Sequence, residues 1–188
     1  MNLKTANPGP TWGIIAVVMG VSGSGKTLIG EALAKSIGGR FIEGDQYHPP
    51  ANINRMASGQ PLRDEDRWGW LDAIAAEIDG ADQAGTTLVV ACSALKRVYR
   101  DRLRGASDRI LFIYLEVSRN TAAARVAARR GHFMPPSLID SQFAALEPPA
   151  PDEQALYLDA AGDPTSLVDW ALAAVRGSLG RAATSSPA

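Results

Sequence analysis

The sequence predicts an α/β fold: a mostly five-stranded parallel sheet with helices on both faces. Three observations carry this. Short apolar bursts alternate with longer amphipathic stretches along the chain. The bursts are continuous rather than alternating, which is the pattern of strands buried on both faces. The first burst runs directly into a Gly/Ser/Lys loop that opens a helix. A chain of 188 residues, 46% hydrophobic and 21% charged, buries the core of one ordinary domain.

Taken in order, residues 1–12, with Asn7, Pro8, Gly9 and Pro10, are turn-formers without periodicity and form a flexible N-terminal segment. A single domain is expected over 13–179. Its first strand is 14–19, and the helix 27–37 stops at Gly38 and Gly39. A second strand at 40–43 precedes a helix at 67–78, where Trp70, Leu71, Ile74 and Ile78 fall at helical spacing behind Asp64 and Asp66 as caps. Strands at 87–91, 110–115 and 155–158 alternate with helices at 96–104 and 118–130. Asp163 as N-cap and Pro164 at the first helical position open a last helix over 165–176, and 180–188 is a flexible tail. Pro148, Pro149, Ala150 and Pro151 read as a surface loop.

Composition excludes several functions. Lys and Arg total 19 against 20 Asp and Glu, a net charge of -1, so no global field gathers nucleic acid or an anionic membrane. The longest apolar runs, 14–19 and 110–115, fall far short of the ~20 residues a membrane helix needs. The run after Lys4 is also too short for a secretory signal. Cys92 is the single cysteine, which rules out an intramolecular disulfide and fits a reducing, cytoplasmic setting. With only His48 and His132 besides, a histidine- or cysteine-rich metal centre is not expected.

The loop Gly20, Val21, Ser22, Gly23, Ser24, Gly25, Lys26, Thr27 satisfies the P-loop pattern G-x-x-x-x-G-K-[ST] between a strand and a helix. Glycines let successive backbone N–H groups converge on phosphate oxygens, and the helix N-terminus adds partial positive charge. Lys26 is expected to bridge the β- and γ-phosphates of ATP, and Thr27 to offer its hydroxyl to Mg²⁺. No asparagine is followed by lysine, so the N-K-x-D signature of guanine readers is absent. Asp82 to Gly85 matches D-x-x-G by letters only and reads as a turn.

The second strand ends Glu43, Gly44, Asp45. Alternation puts both carboxylates on one face at a strand's carboxyl end, where α/β sheets bind ligands. That arrangement suits one carboxylate on the metal side and one on the substrate side. Further on, Arg125 and Arg129 stand four apart on one helical face beside Arg130, just before Gly131, His132, Phe133, Met134, Pro135 and Pro136 break the helix. Like charges so placed repel unless an anion arrives between them.

Several blocks together resemble the gluconokinase family. They are Gly44-Asp45-x-x-His48-Pro49; Asn52-Ile53-x-x-Met56-Ala57-Ser58-Gly59-x-Pro61-Leu62-x-Asp64-x-Asp66-Arg67; Cys92-Ser93-Ala94-Leu95-Lys96 with Tyr99-Arg100; Arg129-x-Gly131-His132-Phe133-Met134; and Ser141-Gln142-Phe143. With the P-loop they run in order from about Ile14 to Leu146. The resemblance implies the three-layer P-loop NTPase fold shared with shikimate kinase, including a small helical lid at about 125–142. It also implies ATP-dependent phosphorylation of D-gluconate at its 6-hydroxyl and a homodimer. Carried over by position, it makes Asp45 the acceptor-side carboxylate and Glu43 an outer-sphere partner of Mg²⁺, where many relatives have Asp.

The resemblance further moves His48, Ser93, His132 and Gln142 to the gluconate pocket, and makes Arg125 and Arg129 lid contacts to the phosphates. For the gluconate carboxylate the available cations are Arg67, Lys96 and Arg100. Arg67 ranks first, because it stands roughly where shikimate kinase uses arginine and a guanidinium grips carboxylates bidentately. Trp68 and Trp70 read as core or dimer packing. The other readings are a P-loop kinase of a different small sugar acid or polyol, and a nucleotide-dependent binding module.

Overall fold

The computed structural model describes residues 13–128 and 138–184. Five strands, β1 (Ile15–Met19), β2 (Arg40–Glu43), β3 (Leu88–Ala91), β4 (Ile110–Glu116) and β5 (Leu156–Asp159), form one parallel sheet in the order β2-β3-β1-β4-β5. Among the described residues seven α-helices connect and cover it: α1 (Lys26–Ile37), α2 (Pro50–Ala57), α3 (Trp68–Gln83), α4 (Arg97–Arg104), α5 (Arg119–Ala128), α6 (Ile139–Ala145) and α7 (Pro164–Thr184). The fold class is the expected one.

Successive strand residues point to opposite faces, and β1 shows the consequence. Ile15, Val17 and Met19 join Trp70, Leu71, Ile74 and Ile78 of α3 and Tyr99 and Leu103 of α4 in one core. Ala16 and Val18 join Ile29 and Leu33 of α1 and Leu167, Ala171 and Val175 of α7 in the other. Only the inner strands are buried on both faces; the edge strands β2 and β5 are partly exposed, which corrects the reading of all five bursts as doubly buried. The central strand β1 has neighbours that lead away in opposite chain directions, so the crevice for a ligand opens at its carboxyl end.

Asp163 caps α7 as expected, accepting the Ser166 backbone N–H at 3.0 Å. The helix continues to Thr184, past residue 176, where periodicity placed its end. Asp64 and Asp66 do not cap α3. Its N-cap position is Arg67, whose side chain makes no capping hydrogen bond. Asp66 instead accepts the backbone N–H of Arg63, and Asp64 turns to Lys96 and Tyr99. Two helices, α2 and α6, have no counterpart in the sequence reading. Pro50 sits at the start of α2, where a missing N–H costs nothing, so the Pro49-Pro50 pair opens this helix. The expected flexible segment 1–12 lies outside the described residues.

Candidate active site

The phosphate loop follows β1 and opens α1 as the sequence requires. Gly23 has φ +83°, and a Cβ there would stand 2.6 Å from the Ala122 carbonyl oxygen of α5, so only glycine fits. The N-terminus of α1 has Gly25 as its cap, a residue with no side chain to compete with a ligand for the first-turn N–H groups. Ser24, 2% exposed, has a hydroxyl with no hydrogen-bond partner among the described residues. A glycine-rich loop that opens a helix around a buried, unpartnered Ser24 hydroxyl suits a polyphosphate. Lys26 arches over the loop, its Nζ donating to the Val21 carbonyl at 3.1 Å.

Thr27 and Glu43 meet beside it: Thr27 Oγ1 donates to Glu43 Oε2 at 2.6 Å. Burial pushes the Glu43 carboxyl up from its ordinary value, with Asp45 adding to the rise and the Thr27 hydrogen bond and Lys26 opposing it. Gly44 packs so tightly on β3 that a Cβ would lie 2.5 Å from the Ala91 carbonyl oxygen, and this close approach sets the turn Gly44–Tyr47 that carries Asp45.

A cavity at the carboxyl end of the sheet is lined by Ser22 and Lys26 of the phosphate loop together with Asp45, His48, Arg67, Ser93 and Gln142. Met56, Leu62 and Leu138, a small apolar cluster separate from the two cores, also line it. Ser93 is tied to the phosphate loop through its carbonyl, which accepts the Gly20 N–H at 3.3 Å. Gln142 holds the loop more directly: its Oε1 accepts the Ser22 backbone N–H at 2.7 Å, and its Nε2 lies 3.2 Å from the Ser22 hydroxyl. A second, mostly apolar cavity of about 410 Å³ lies on the other side of the loop, lined by Leu28, Ile29, Arg125, Ala128, Pro164 and Leu167 among others. Its shape and lining suit the nucleoside part of ATP.

Of the cations proposed for an acceptor carboxylate, only Arg67 lines the first cavity. Its Nη2 donates to the Leu62 carbonyl at 3.3 Å, and its buried Nε has no partner among the described residues. Arg100 is a correction: it is wholly buried, with Nε and Nη2 on Glu153 at 2.5 and 2.8 Å and Nη1 on the carbonyls of Ala94, Leu95 and Glu147. No donor faces the cavity, so it is a structural arginine. Lys96 is turned away as well, gripping both oxygens of Asp64 at 2.7 and 2.8 Å beside the Tyr99 hydroxyl at 2.6 Å. Those two donors hold the Asp64 carboxyl below its ordinary value.

Arg125 lies at the second cavity, donating to the carbonyls of Gly23 at 3.3 Å and Ala160 at 2.9 Å. The other lid arginines, Arg129 and Arg130, and His132, expected in the gluconate pocket, lie outside the described residues. Cys92 is fully buried and burial pushes its thiol up to about 12, which makes it an inert core residue. Among the described residues no group of three or more His, Cys, Asp or Glu stands ready to hold a metal. None of their helices is long and apolar enough to cross a membrane.

Sequence reasoning missed Asn52 and Trp70 as supports of the site, and Glu153 as the buried partner of Arg100. Trp70 Nε1 donates to the Gly44 carbonyl at 2.7 Å and its ring stacks on His48. The one signal available was the four-residue spacing of His48 and Asn52.

An AAA domain family model matches residues 15–149. The gluconokinase of Gluconobacter oxydans (strain 621H) is 44% identical over 153 residues, covering 81% of this chain and 86% of that protein. The thermosensitive gluconokinase of Escherichia coli (strain K12) is 46% identical over 138 residues, covering 73% and 74%. Among solved structures, a gluconokinase from Sinorhizobium meliloti 1021 superposes with a TM-score of 0.78 at 44% identity, covering 92% of this chain and 95% of the other. An unliganded sugar kinase from Janibacter sp. HTCC2649 superposes with a TM-score of 0.83 at 43% identity, covering 89% and 98%.

Proposed function

The chain belongs to the gluconokinase family, and on that premise we propose that it transfers the γ-phosphate of ATP to the 6-hydroxyl of D-gluconate, giving 6-phosphogluconate and ADP. The observation that carries this reading is the single cavity in which Ser22 and Lys26 of the phosphate loop face Asp45, His48, Arg67 and Ser93. Phosphoryl transfer needs little covalent help from the protein; it needs the donor phosphate and the acceptor hydroxyl in line, with charge stabilised between them.

Lys26 and the N–H groups at the start of α1 hold the phosphates, and Leu28, Pro164 and Leu167 flank the base. Asp45 orients the acceptor hydroxyl and takes up its proton. Arg67 supplies the cation that a sugar acid demands, and Ser93 adds a donor and acceptor for hydroxyls. Arg125 stands beside the phosphate loop, ready for the charge that a nucleotide brings.

The paired Thr27 hydroxyl and Glu43 carboxylate fit Mg²⁺, since oxygen donors at the mouth of a phosphate loop are what this hard cation takes. Thr27 would hold it directly and Glu43 through water. When bound, Mg²⁺ neutralises charge on the β- and γ-phosphate oxygens. A reducing cytoplasm and a homodimer belong to the same reading. The single buried thiol Cys92 supports the former, and light scattering of the purified protein tests the latter.

The deciding experiment is ADP release with a panel of sugar acids and polyols, followed by NMR assignment of the phosphorylated carbon. Strong dependence on gluconate with phosphate at carbon 6 is the expected result. Preference for another acceptor would make the chain a kinase of a different sugar acid or polyol, and ADP release independent of any acceptor would leave only nucleotide binding and hydrolysis.

A further inference from the structure

His48 stands in the acceptor cavity next to Asp45, and both residue types accept protons from hydroxyls in enzymes. Its surroundings separate the two roles. The imidazole is 7% exposed and lies flat against Trp70, with ring centroids 4.3 Å apart and planes 14° from parallel. Trp70 is fully buried and pinned through Nε1 to the Gly44 carbonyl at 2.7 Å, so this platform is rigid.

On the Nδ1 edge of the ring stands Asn52 of α2, 6% exposed, with its amide nitrogen 3.5 Å from Nδ1. The same nitrogen lies 2.6 Å from the backbone oxygen of Asp66. A carbonyl only accepts, so this short contact fixes which end of the Asn52 side chain is the NH₂ group. An amide NH₂ in turn only donates, so toward it Nδ1 can act only as an acceptor. A neutral imidazole carries one ring proton, which then sits on Nε2. The charged groups around the ring, Asp45 on the preceding turn and Arg67 before α3, oppose each other, while burial drives the ring to the neutral form and pushes His48 down to about 4.

We propose that Asn52 is a positioning residue that, with Trp70, locks His48 as its Nε2–H tautomer, so that His48 donates a hydrogen bond to an oxygen of the acceptor and leaves the acceptor's proton to Asp45. The inference rests on the reading of this cavity as the acceptor site. With the Nδ1 lone pair held by Asn52 and Nε2 already protonated, the ring has no basic nitrogen to turn toward a hydroxyl. The device also selects ligands: a donor at this place favours an oxygen acceptor such as a hydroxyl or carboxylate and disfavours an apolar carbon.

The test is long-range ¹H–¹⁵N correlation NMR of the uniformly labelled full chain at pH 7, with His48→Gln identifying the His48 signals against those of His132. The expected pattern is a protonated Nε2 and a bare Nδ1. A protonated Nδ1 or an imidazolium would overturn the proposal, and this result needs no variant to fold. Asn52→Asp replaces the donor by an acceptor of the same shape, which draws a proton to Nδ1. It should show the reversed tautomer and lose tenfold or more in kcat/KM for gluconate, with KM for ATP within about twofold of wild type. Wild-type tautomer and wild-type gluconate kinetics in Asn52→Asp would also overturn it. If the wild-type chain shows the Nε2–H pattern yet does not phosphorylate gluconate, the assignment of the acceptor fails while the tautomer lock stands.

Discussion

Thr27 Oγ1 donates a 2.6 Å hydrogen bond to Glu43 Oε2, joining the first turn of α1 to the carboxyl end of β2. These two oxygens come from parts of the chain sixteen positions apart in sequence and converge only because β2 and the phosphate loop share one edge of the sheet. A hydroxyl has one proton and two lone pairs, so Thr27 can donate to Glu43 while its oxygen stays open to a cation. We expect Glu43→Gln to raise the Mg²⁺ concentration needed for half-maximal activity several-fold, with little effect on KM for gluconate. Titrating activity against Mg²⁺ at saturating ATP and gluconate checks this; an unchanged Mg²⁺ dependence removes Glu43 from the metal side.

The Arg100–Glu153 pair is a stability element and is expected to behave as one. Both side chains are almost wholly buried, 1% and 2% exposed. Removing one partner strands a charge in a low-dielectric interior, which typically costs about 3–5 kcal/mol. Glu153→Gln should therefore lower the thermal midpoint by roughly 10 °C, while the surviving folded enzyme keeps its wild-type KM for gluconate. Lys96→Ala removes a partly exposed pair with Asp64 and should cost no more than about 1 kcal/mol. Comparable losses in the two variants would mean that the buried pair is not the anchor its geometry indicates.

Arg100 also shows where sequence reading stopped. The strand–loop–helix order and the P-loop were legible because each depends on local spacing, such as glycines at fixed offsets; strand alternation does not relate Glu43 to Asp45, since β2 ends at Glu43 and Asp45 stands on the turn Gly44–Tyr47. Arg100 looked like a free helix cation because its partner, Glu153, lies 53 positions away in a proline-rich stretch that reads as surface. Composition cannot show that such a loop sends one carboxylate into the core. Asp64 and Asp66 look like caps for the same reason, since their actual donors, Lys96, Tyr99 and Arg63, compete for the same oxygens and win. For Asn52 the four-residue spacing from His48 hints at proximity, but its role is defined by the edge of an imidazole and the carbonyl of Asp66, neither of which a pattern encodes.

Burial of His48 predicts a pH dependence of stability with a definite sign. Unfolded, the ring titrates near 6.5; folded, at about 4. Between those values the unfolded chain holds a proton that the native state does not, so stability rises with pH through this window. The contribution is complete above about pH 6.5 and is lost as the pH falls toward 4. At pH 5 the wild type should have lost on the order of 2 kcal/mol through this group. Urea unfolding of wild type and His48→Gln at pH 5 and pH 7.5 isolates it, because other groups cancel between the two proteins. Equal losses in both would mean that the ring is not held neutral in the fold.

Arg67 is the last of the three candidate cations still facing the acceptor, and its variants should read out a carboxylate. Lys96 is engaged with Asp64 and Arg100 with Glu153, whereas Arg67 lines the cavity with a buried Nε that no described residue accepts. A guanidinium engages a carboxylate through parallel N–H groups, which a lysine cannot reproduce even though it keeps the charge. Hydrogen bonds between charged partners contribute about 1.5–3 kcal/mol, or roughly 10–100-fold in affinity. Arg67→Lys and Arg67→Ala should therefore both raise KM for gluconate by about that factor, with KM for ATP unchanged and kcat less affected, because the contact is made before the transfer and kept through it. A neutral polyol of the same chain length supplies the control: lacking the carboxylate, it should react as poorly with wild type as with Arg67→Ala. If Arg67→Ala weakens ATP instead, or penalises the polyol as much as gluconate, then Arg67 serves the fold of the cavity and the carboxylate is held elsewhere.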